Sequence, residues 1–113
     1  MTTYSFGDIV LVPFPFTDQS TAKKRPAVVI SSNIYSRQRP DIVIMAVTSQ
    51  ILSASYFGDT VISELQPAGL LRPSVIKPII TTIEKSLVIK KLGQLHKEDR
   101  KSLRESFYKI LGE

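Results

Sequence analysis

Apolar residues fall along this chain in two rhythms. Up to about residue 92 they come as short, nearly unbroken runs between polar or proline-bearing stretches, and from residue 95 they recur at helical spacing. Short runs rich in β-branched residues and bounded by turn formers read as buried strands. Residues 8–12, 27–30 and 41–47 are three such runs, the last with Ile42, Val43, Ile44, Met45, Ala46 and Val47 in succession. Thr60-Val61-Ile62 and Ser74-Val75-Ile76 predict shorter strands around the turn-forming Pro67-Ala68-Gly69. Residues 79–83 predict a further strand, and residues 85–92 another turn and strand. Between the second and third runs, residues 31–38 predict a short helix or turn capped by serine or asparagine.

The end of the chain is different in kind. Leu95, Leu103, Phe107, Ile110 and Leu111 line one face of a helix beginning near His96. Glu98 and Asp99 fall in its first turn and Lys109 in its last, where each charge complements the helix dipole, and Gly112 is placed to end it. Many short strands followed by one amphipathic helix predict a mainly β fold, a small, strongly bent sheet or barrel with the helix packed against it. The seven prolines suit strand ends and edges rather than central strands. At 113 residues the chain is long enough for one modest core, so a single domain over residues 1–113 is expected.

Composition narrows the class. With 42% hydrophobic and 22% charged residues the chain is globular rather than disordered. No apolar run approaches the roughly 20 residues that span a bilayer, so no membrane partner is expected. Met1-Thr2-Thr3-Tyr4-Ser5 has neither the basic region nor the apolar core of a secretion signal, and there is no cysteine, which makes the cytoplasm the simplest location.

The net charge of +5 is unevenly spread. Residues 23–40 hold Lys23, Lys24, Arg25, Arg37 and Arg39 with no acid, whereas residues 41–66 hold Asp41, Asp59 and Glu64 with no base. A basic block directly after the first strand loop is what a polyanionic partner needs, although a solvated basic surface would read the same way.

Most routes to catalysis are closed. His96 is the only histidine, and its place at a helix start fits capping better than chemistry. No histidine pair or carboxylate cluster has ligand spacing, so no metal and no cofactor is expected. Neither a dinucleotide nor a Walker phosphate loop is present, and serines without a histidine partner cannot form a hydrolase triad. Metal-free phosphate chemistry remains. RNA brings its own nucleophile, the 2′-hydroxyl, so a ribonuclease has only to position the phosphate, stabilise added charge and move protons. Arg25 offers paired charge-assisted hydrogen bonds to phosphate oxygens, and Thr48, polar at the end of a six-residue apolar run, offers a hydroxyl to the same group. Taken singly, either residue also fits an ordinary structural role.

Several segments together change that balance. They are Gly7-Asp8 opening an apolar strand, Lys24-Arg25-Pro26 entering the next, the apolar run ending in Thr48, Ser74-Val75, Thr82-Ile83-Glu84-Lys85, and the closing helix. In this order and spacing they resemble the MazF/PemK family of toxin endoribonucleases over nearly the whole chain. The resemblance implies an SH3-like barrel of the CcdB/MazF type with a C-terminal amphipathic helix, usually a homodimer. It implies a toxin that cleaves single-stranded RNA without metal and is held by a cognate acidic antitoxin.

Carried onto this sequence, the family's catalytic arginine and threonine correspond to Arg25 and Thr48. Thr17, Lys24, Ser49, Gln50 and Lys77 are the expected substrate contacts, and residues 17–23 the expected loop of base preference. Many members place an acidic residue, glutamine and arginine ahead of a Thr-Ile-Asp motif, and one branch uses a nearby Arg-x-Asp pair as acid and base. Here the segment reads Lys77-Pro78-Ile79-Ile80-Thr81-Thr82-Ile83-Glu84, with threonine in the arginine's place and no carboxylate ahead of the motif. Lys77 would restore some positive charge, and the general base stays unassigned. Barrels of this kind also occur as gyrase-targeting toxins and as non-catalytic RNA- or protein-binding modules. The gyrase branch lacks the Lys-Arg-Pro entry and the strand-end threonine, so their presence favours the nuclease.

Overall fold

Burial on both faces explains why the strands read as unbroken apolar runs. The computed structural model describes residues 3–14, 23–49 and 56–112. Its strands are β1 (Asp8–Phe14), β2 (Lys23–Val29), β3 (Asp41–Thr48), β4 (Thr60–Val61), β5 (Val75–Glu84) and β6 (Lys90–Gln94). Its helices are α1 (Asn33–Gln38), α2 (Leu65–Ala68) and α3 (Lys97–Ile110), with one 3-10 turn at Lys85–Leu87. The strands form one sheet in the order β4-β5-β3-β2-β1-β6, with every neighbouring pair antiparallel.

Successive residues of the central strands alternate between two cores. Val10, Val12, Ala27, Val29, Ile42, Ile44 and Ala46 join Tyr4 and Ile83 in one cluster. Ile9, Val28, Met45 and Val47 join Ile76, Leu95 and Leu103 in the other, against which Leu65, Phe107 and Ile110 also pack. The helices α2 and α3 therefore cover the second cluster. The first contains no helix residue, and the sheet curls over it. This is the expected bent sheet with a C-terminal helix.

The ends of α3 show how local chemistry fixes its limits. The His96 Nδ1 accepts from the Glu98 N–H at 3.3 Å, the capping role expected of it. Asp99 is 2% exposed and accepts from the Ser63 hydroxyl at 2.7 Å and from the N–H groups of Ser63 (3.1 Å) and Glu64 (2.9 Å). Burial alone would raise the Asp99 carboxyl, but the Ser63 hydroxyl and these backbone donors outweigh it and hold its pKa below the ordinary carboxylate value. One buried acid thus ties the helix start to the segment after β4.

Four local expectations are corrected. Val75–Ile76, from the expected strand at Ser74–Ile76, and residues 79–83 belong to one strand, β5, because Lys77 pairs with Ala46 and Ile80 with Met45 across a register shift. Pro78, which has no N–H to give a ladder, sits in that irregularity and bends the strand instead of ending it. β2 begins at Lys23 rather than Ala27, since its pairing with β1 runs from Ile9↔Val28 to Phe14↔Lys23. The turn around Pro67 is a one-turn helix closed by Gly69 in the left-handed region (φ 73°). Leu111 caps α3 in extended conformation and is exposed, so the helical face ends at Ile110 and Gly112 does not close the helix.

Candidate functional site

The strand ladder between β2 and β3 ends just short of Arg25 and Thr48. β2 and β3 are hydrogen-bonded through Ala27↔Ala46, Val28↔Met45 and Val29↔Ile44. Continuing that register past Ala27 sets Pro26 opposite Val47 and Arg25 opposite Thr48. The ladder stops where proline has no N–H to donate, while β2 stays paired on its other side through Leu11↔Pro26 and Val12↔Arg25. Arg25 is thus anchored by β1 along an edge that β3 has released. On the far flank of Thr48, β5 continues the sheet with Thr48↔Val75.

A cleft of about 490 Å³ opens at this edge. Lys23, Lys24, Arg25 and Pro26 line it from β2, Val47, Thr48 and Ser49 from the end of β3, and Gly69, Leu70, Leu71, Arg72 and Ser74 from the α2–β5 connection. Arg25 and Thr48 are half-buried, with the Arg25 Nε shut off from solvent, whereas Lys23, Lys24, Ser49 and Arg72 are exposed. The described lining carries four cations and no carboxylate or histidine. Such a field suits an anion, and the Thr48, Ser49 and Ser74 hydroxyls add neutral donors.

Four of the expected site residues therefore meet: Arg25, Thr48, Lys24 and Ser49. Lys77 does not join them. Its ammonium donates to the Asp59 carboxylate at 2.6 Å and lies 5.5 Å from the centre of the Tyr56 ring. Burial would raise the Asp59 carboxyl, but the Lys77 hydrogen bond, the Tyr56 N–H and the Lys77 charge outweigh it and hold its pKa down. The charge of Lys77 is spent on a structural ion pair in which Asp59 is almost wholly buried. Thr17, Gln50 and most of the loop 17–23 lie outside the described residues.

Asp59 faces a second, larger cleft of about 540 Å³ between residues 56–61 and α3. Size does not decide between the two. This lining includes the carboxylates Asp59 and Glu105 against the single cation Lys109, a poor field for a polyanion.

Arg72 was missed by sequence reasoning. The available signal was its dipeptide: Arg72-Pro73 precedes Ser74-Val75-Ile76 as Arg25-Pro26 precedes Ala27-Val28-Val29. Ser74 is buried and donates its hydroxyl to the Arg72 carbonyl at 2.8 Å, which fixes the corner.

The described residues contain no group of three or more histidines, cysteines or acids able to hold a metal, and no helix long and apolar enough to cross a membrane.

The sequence pattern of the PemK-like, MazF-like toxins of type II toxin–antitoxin systems matches residues 5–111. No curated protein sequence matches the chain. Among solved structures, MazF of Deinococcus radiodurans (Form-I) superposes with a TM-score of 0.77 at 17% identity, covering 100% of both chains. An endoribonuclease of a mycobacterial species, solved in complex with its cognate antitoxin, gives 0.74 at 17% identity over 99% of this chain and 96% of that one. A MazF toxin of Mycobacterium tuberculosis gives 0.73 at 16% identity over 90% and 93%. At such identities the likeness establishes a shared fold.

Proposed function

The chain belongs to the PemK-like, MazF-like toxins of type II toxin–antitoxin systems, and on that premise we propose that it is a metal-independent, sequence-selective endoribonuclease acting on single-stranded RNA in the cytoplasm. The observation that carries this reading is that Arg25 and Thr48 line one cleft just past the end of the β2–β3 ladder, and that its described lining has four cations and no acid.

The chemistry follows from what those groups do. The RNA 2′-hydroxyl attacks the adjacent phosphorus and gives its proton to solvent water, and the bond from phosphorus to the 5′-oxygen breaks as that oxygen takes a proton from water. The products are a 2′,3′-cyclic phosphate, or the 3′-phosphate formed from it, and a 5′-hydroxyl. Negative charge grows on the non-bridging oxygens along the way. Arg25 meets it with a guanidinium that carries five N–H donors and no acceptor, so its role is charge stabilisation and not base catalysis. The Thr48 hydroxyl donates to the same oxygens, and Lys24 and Ser49 hold the flanking strand. The described lining offers no carboxylate or imidazole to take the 2′-hydroxyl proton.

The mycobacterial neighbour is described in complex with its cognate antitoxin. In this chain an acidic, apolar antitoxin segment would compete for the same cationic cleft. A homodimer would cover the exposed apolar side chains of Ile79 and Ile80 on β5 and of Leu87 and Ile89 after it. Light scattering showing an active monomer would remove that part of the proposal.

The deciding experiment is incubation with mixed-sequence single-stranded RNA in EDTA. Discrete fragments with 5′-hydroxyl ends are expected. Dependence on magnesium or 5′-phosphate products would overturn the mechanism, and intact RNA alongside inhibited gyrase would favour the gyrase-directed alternative.

A further inference from the structure

Three arginines in this chain stand directly before a proline that leads into strand sequence: Arg25-Pro26, Arg39-Pro40 and Arg72-Pro73. Proline confines the residue before it to extended backbone, so each step presents its arginine from a fixed place. Their surroundings differ. Arg39 is spent on Asp41, to which its Nε and Nη2 donate at 2.9 and 3.0 Å, and it lies at the opposite end of β3 from Thr48, about 23 Å along the strand. Arg25 and Arg72 both line the cationic cleft.

The side chain of Arg72 makes no hydrogen bond or ion pair among the described residues, and the described cleft lining has no carboxylate to engage it. Its backbone, in contrast, is tightly held. Ser74 donates to its carbonyl, and Leu70 upstream donates its N–H to the Leu65 carbonyl at 3.1 Å. A fixed main chain carrying an exposed, unneutralised guanidinium into an acid-free cleft is a prepared anion contact.

Sheet order says which anion. β3 lies between β2 and β5, so the strand-end Thr48 has Arg25 on one flank and the corner leading into β5 on the other. Two strand spacings, roughly 10 Å, separate β2 from β5 at the level of Thr48, and Arg72 precedes the first residue of β5 by three positions. We propose that Arg72 is a substrate-binding residue that holds the phosphate neighbouring the scissile one, so that the RNA strand runs across the end of β3 with an arginine on either side of Thr48. This rests on the ribonuclease reading of the same cleft.

The test uses the full-length protein. Cleavage sites are first mapped on mixed-sequence single-stranded RNA. A labelled oligoribonucleotide spanning one mapped site, with a 2′-deoxy nucleotide just before the scissile phosphate, then serves as an uncleavable probe for binding across a salt series. Arg72→Gln is expected to weaken binding about tenfold. Its slope of log affinity against log salt should become shallower by about 0.7, the loss of one phosphate contact on a single strand. The cleavage rate at saturating RNA should stay within about threefold of wild type, because the contact acts in binding and not at the reacting phosphorus. Arg72→Lys should restore the slope, and Arg39→Gln, which removes the same charge far from the cleft, should leave it unchanged.

Binding by Arg72→Gln that matches Arg39→Gln in affinity and slope would overturn the inference. A saturated rate falling as far as that of Arg25→Ala, with binding unchanged, would do the same by moving Arg72 to the reacting phosphate. A wild-type protein that neither cuts nor binds RNA would overturn the ribonuclease reading itself. If wild type cuts and binds while Arg72→Gln is indistinguishable from it, this inference alone fails.

Discussion

A guanidinium carried inside a paired strand loses less freedom on binding an anion than one carried by a loop, which is why the place of Arg25 matters. It lies two residues in from the start of β2, and its backbone is paired with Val12. Preorganisation of that kind is what makes a donor effective at a developing charge. Arg25→Ala should therefore lower the single-turnover rate at saturating RNA by about 10²–10³-fold, the usual loss for one such donor. Near-normal turnover in this variant would strip Arg25 of its catalytic role. Asp99 makes the residue-scale case for stability. Asp99→Ala strands the Ser63 and Glu64 N–H groups and should cost about 2–3 kcal/mol in denaturant unfolding at neutral pH.

The pH dependence of that cost follows from the sign of the shift. The folded pKa of Asp99 lies below its unfolded value near 3.9, so its contribution is complete above that value and fades as pH falls through the folded one. The gap between wild type and variant should thus close below about pH 4, and a gap that stayed constant into acid would show that the carboxylate charge is not what ties the helix down. The cap at His96 was legible in the sequence because it depends on immediate neighbours, and Arg25 and Thr48 stood out only through the order and spacing of motifs along the whole chain. The pairing of Lys77 was not legible, since its partner Asp59 stands 18 residues away. Arg72 was hidden for a similar reason, because only folding brings its corner to the end of β3.

Among the elements, strands buried on both faces announced themselves, while the short connections did not. The middles of β1 and β3 and the end of β2 read directly because their alternate side chains feed two cores. The sequence suggests two short strands where β5 is one, because Pro78 interrupts the apolar pattern, yet a sheet tolerates proline where the ladder slips. α2, four residues long, carries too little periodicity to be seen, and its position is set by backbone proximity. A Cβ on Gly69 would lie 2.1 Å from the Leu92 carbonyl oxygen, and one on Gly93 2.3 Å from the Pro67 carbonyl oxygen. The helix end and β6 touch main chain to main chain, and Gly69 is also left-handed. Gly69→Ala should therefore destabilise the fold by more than about 2 kcal/mol, combining the left-handed penalty with a steric displacement. Because Gly69 begins the corner that carries Arg72, RNA binding should weaken in the same variant under conditions where it remains folded. Equilibrium unfolding and probe binding on one preparation test both, and unchanged values for the pair would show that the α2–β6 contact is loose.

For the whole molecule, the charge distribution argues that substrate and inhibitor share one surface. Its excess of cations is small overall, yet four of them line one cleft without an acid, and the acids that are most buried, Asp8, Asp59 and Asp99, are engaged in structural hydrogen bonds or ion pairs elsewhere. A strand of RNA and an acidic antitoxin segment would each release counterions or gain attraction at the same place. If all four cleft cations each meet one phosphate, the salt slope for the uncleavable single-stranded probe should be about −3, at roughly 0.7 per contact. Adding an acidic antitoxin peptide should then displace the probe with an apparent affinity that also falls as salt rises, because both complexes depend on the same charges. A titration followed by anisotropy and by native mass spectrometry separates the outcomes. Displacement with no ternary species supports a shared cleft. A ternary complex in which RNA keeps its full affinity would place inhibition at another surface, with the curled sheet transmitting it to Arg25 and Thr48.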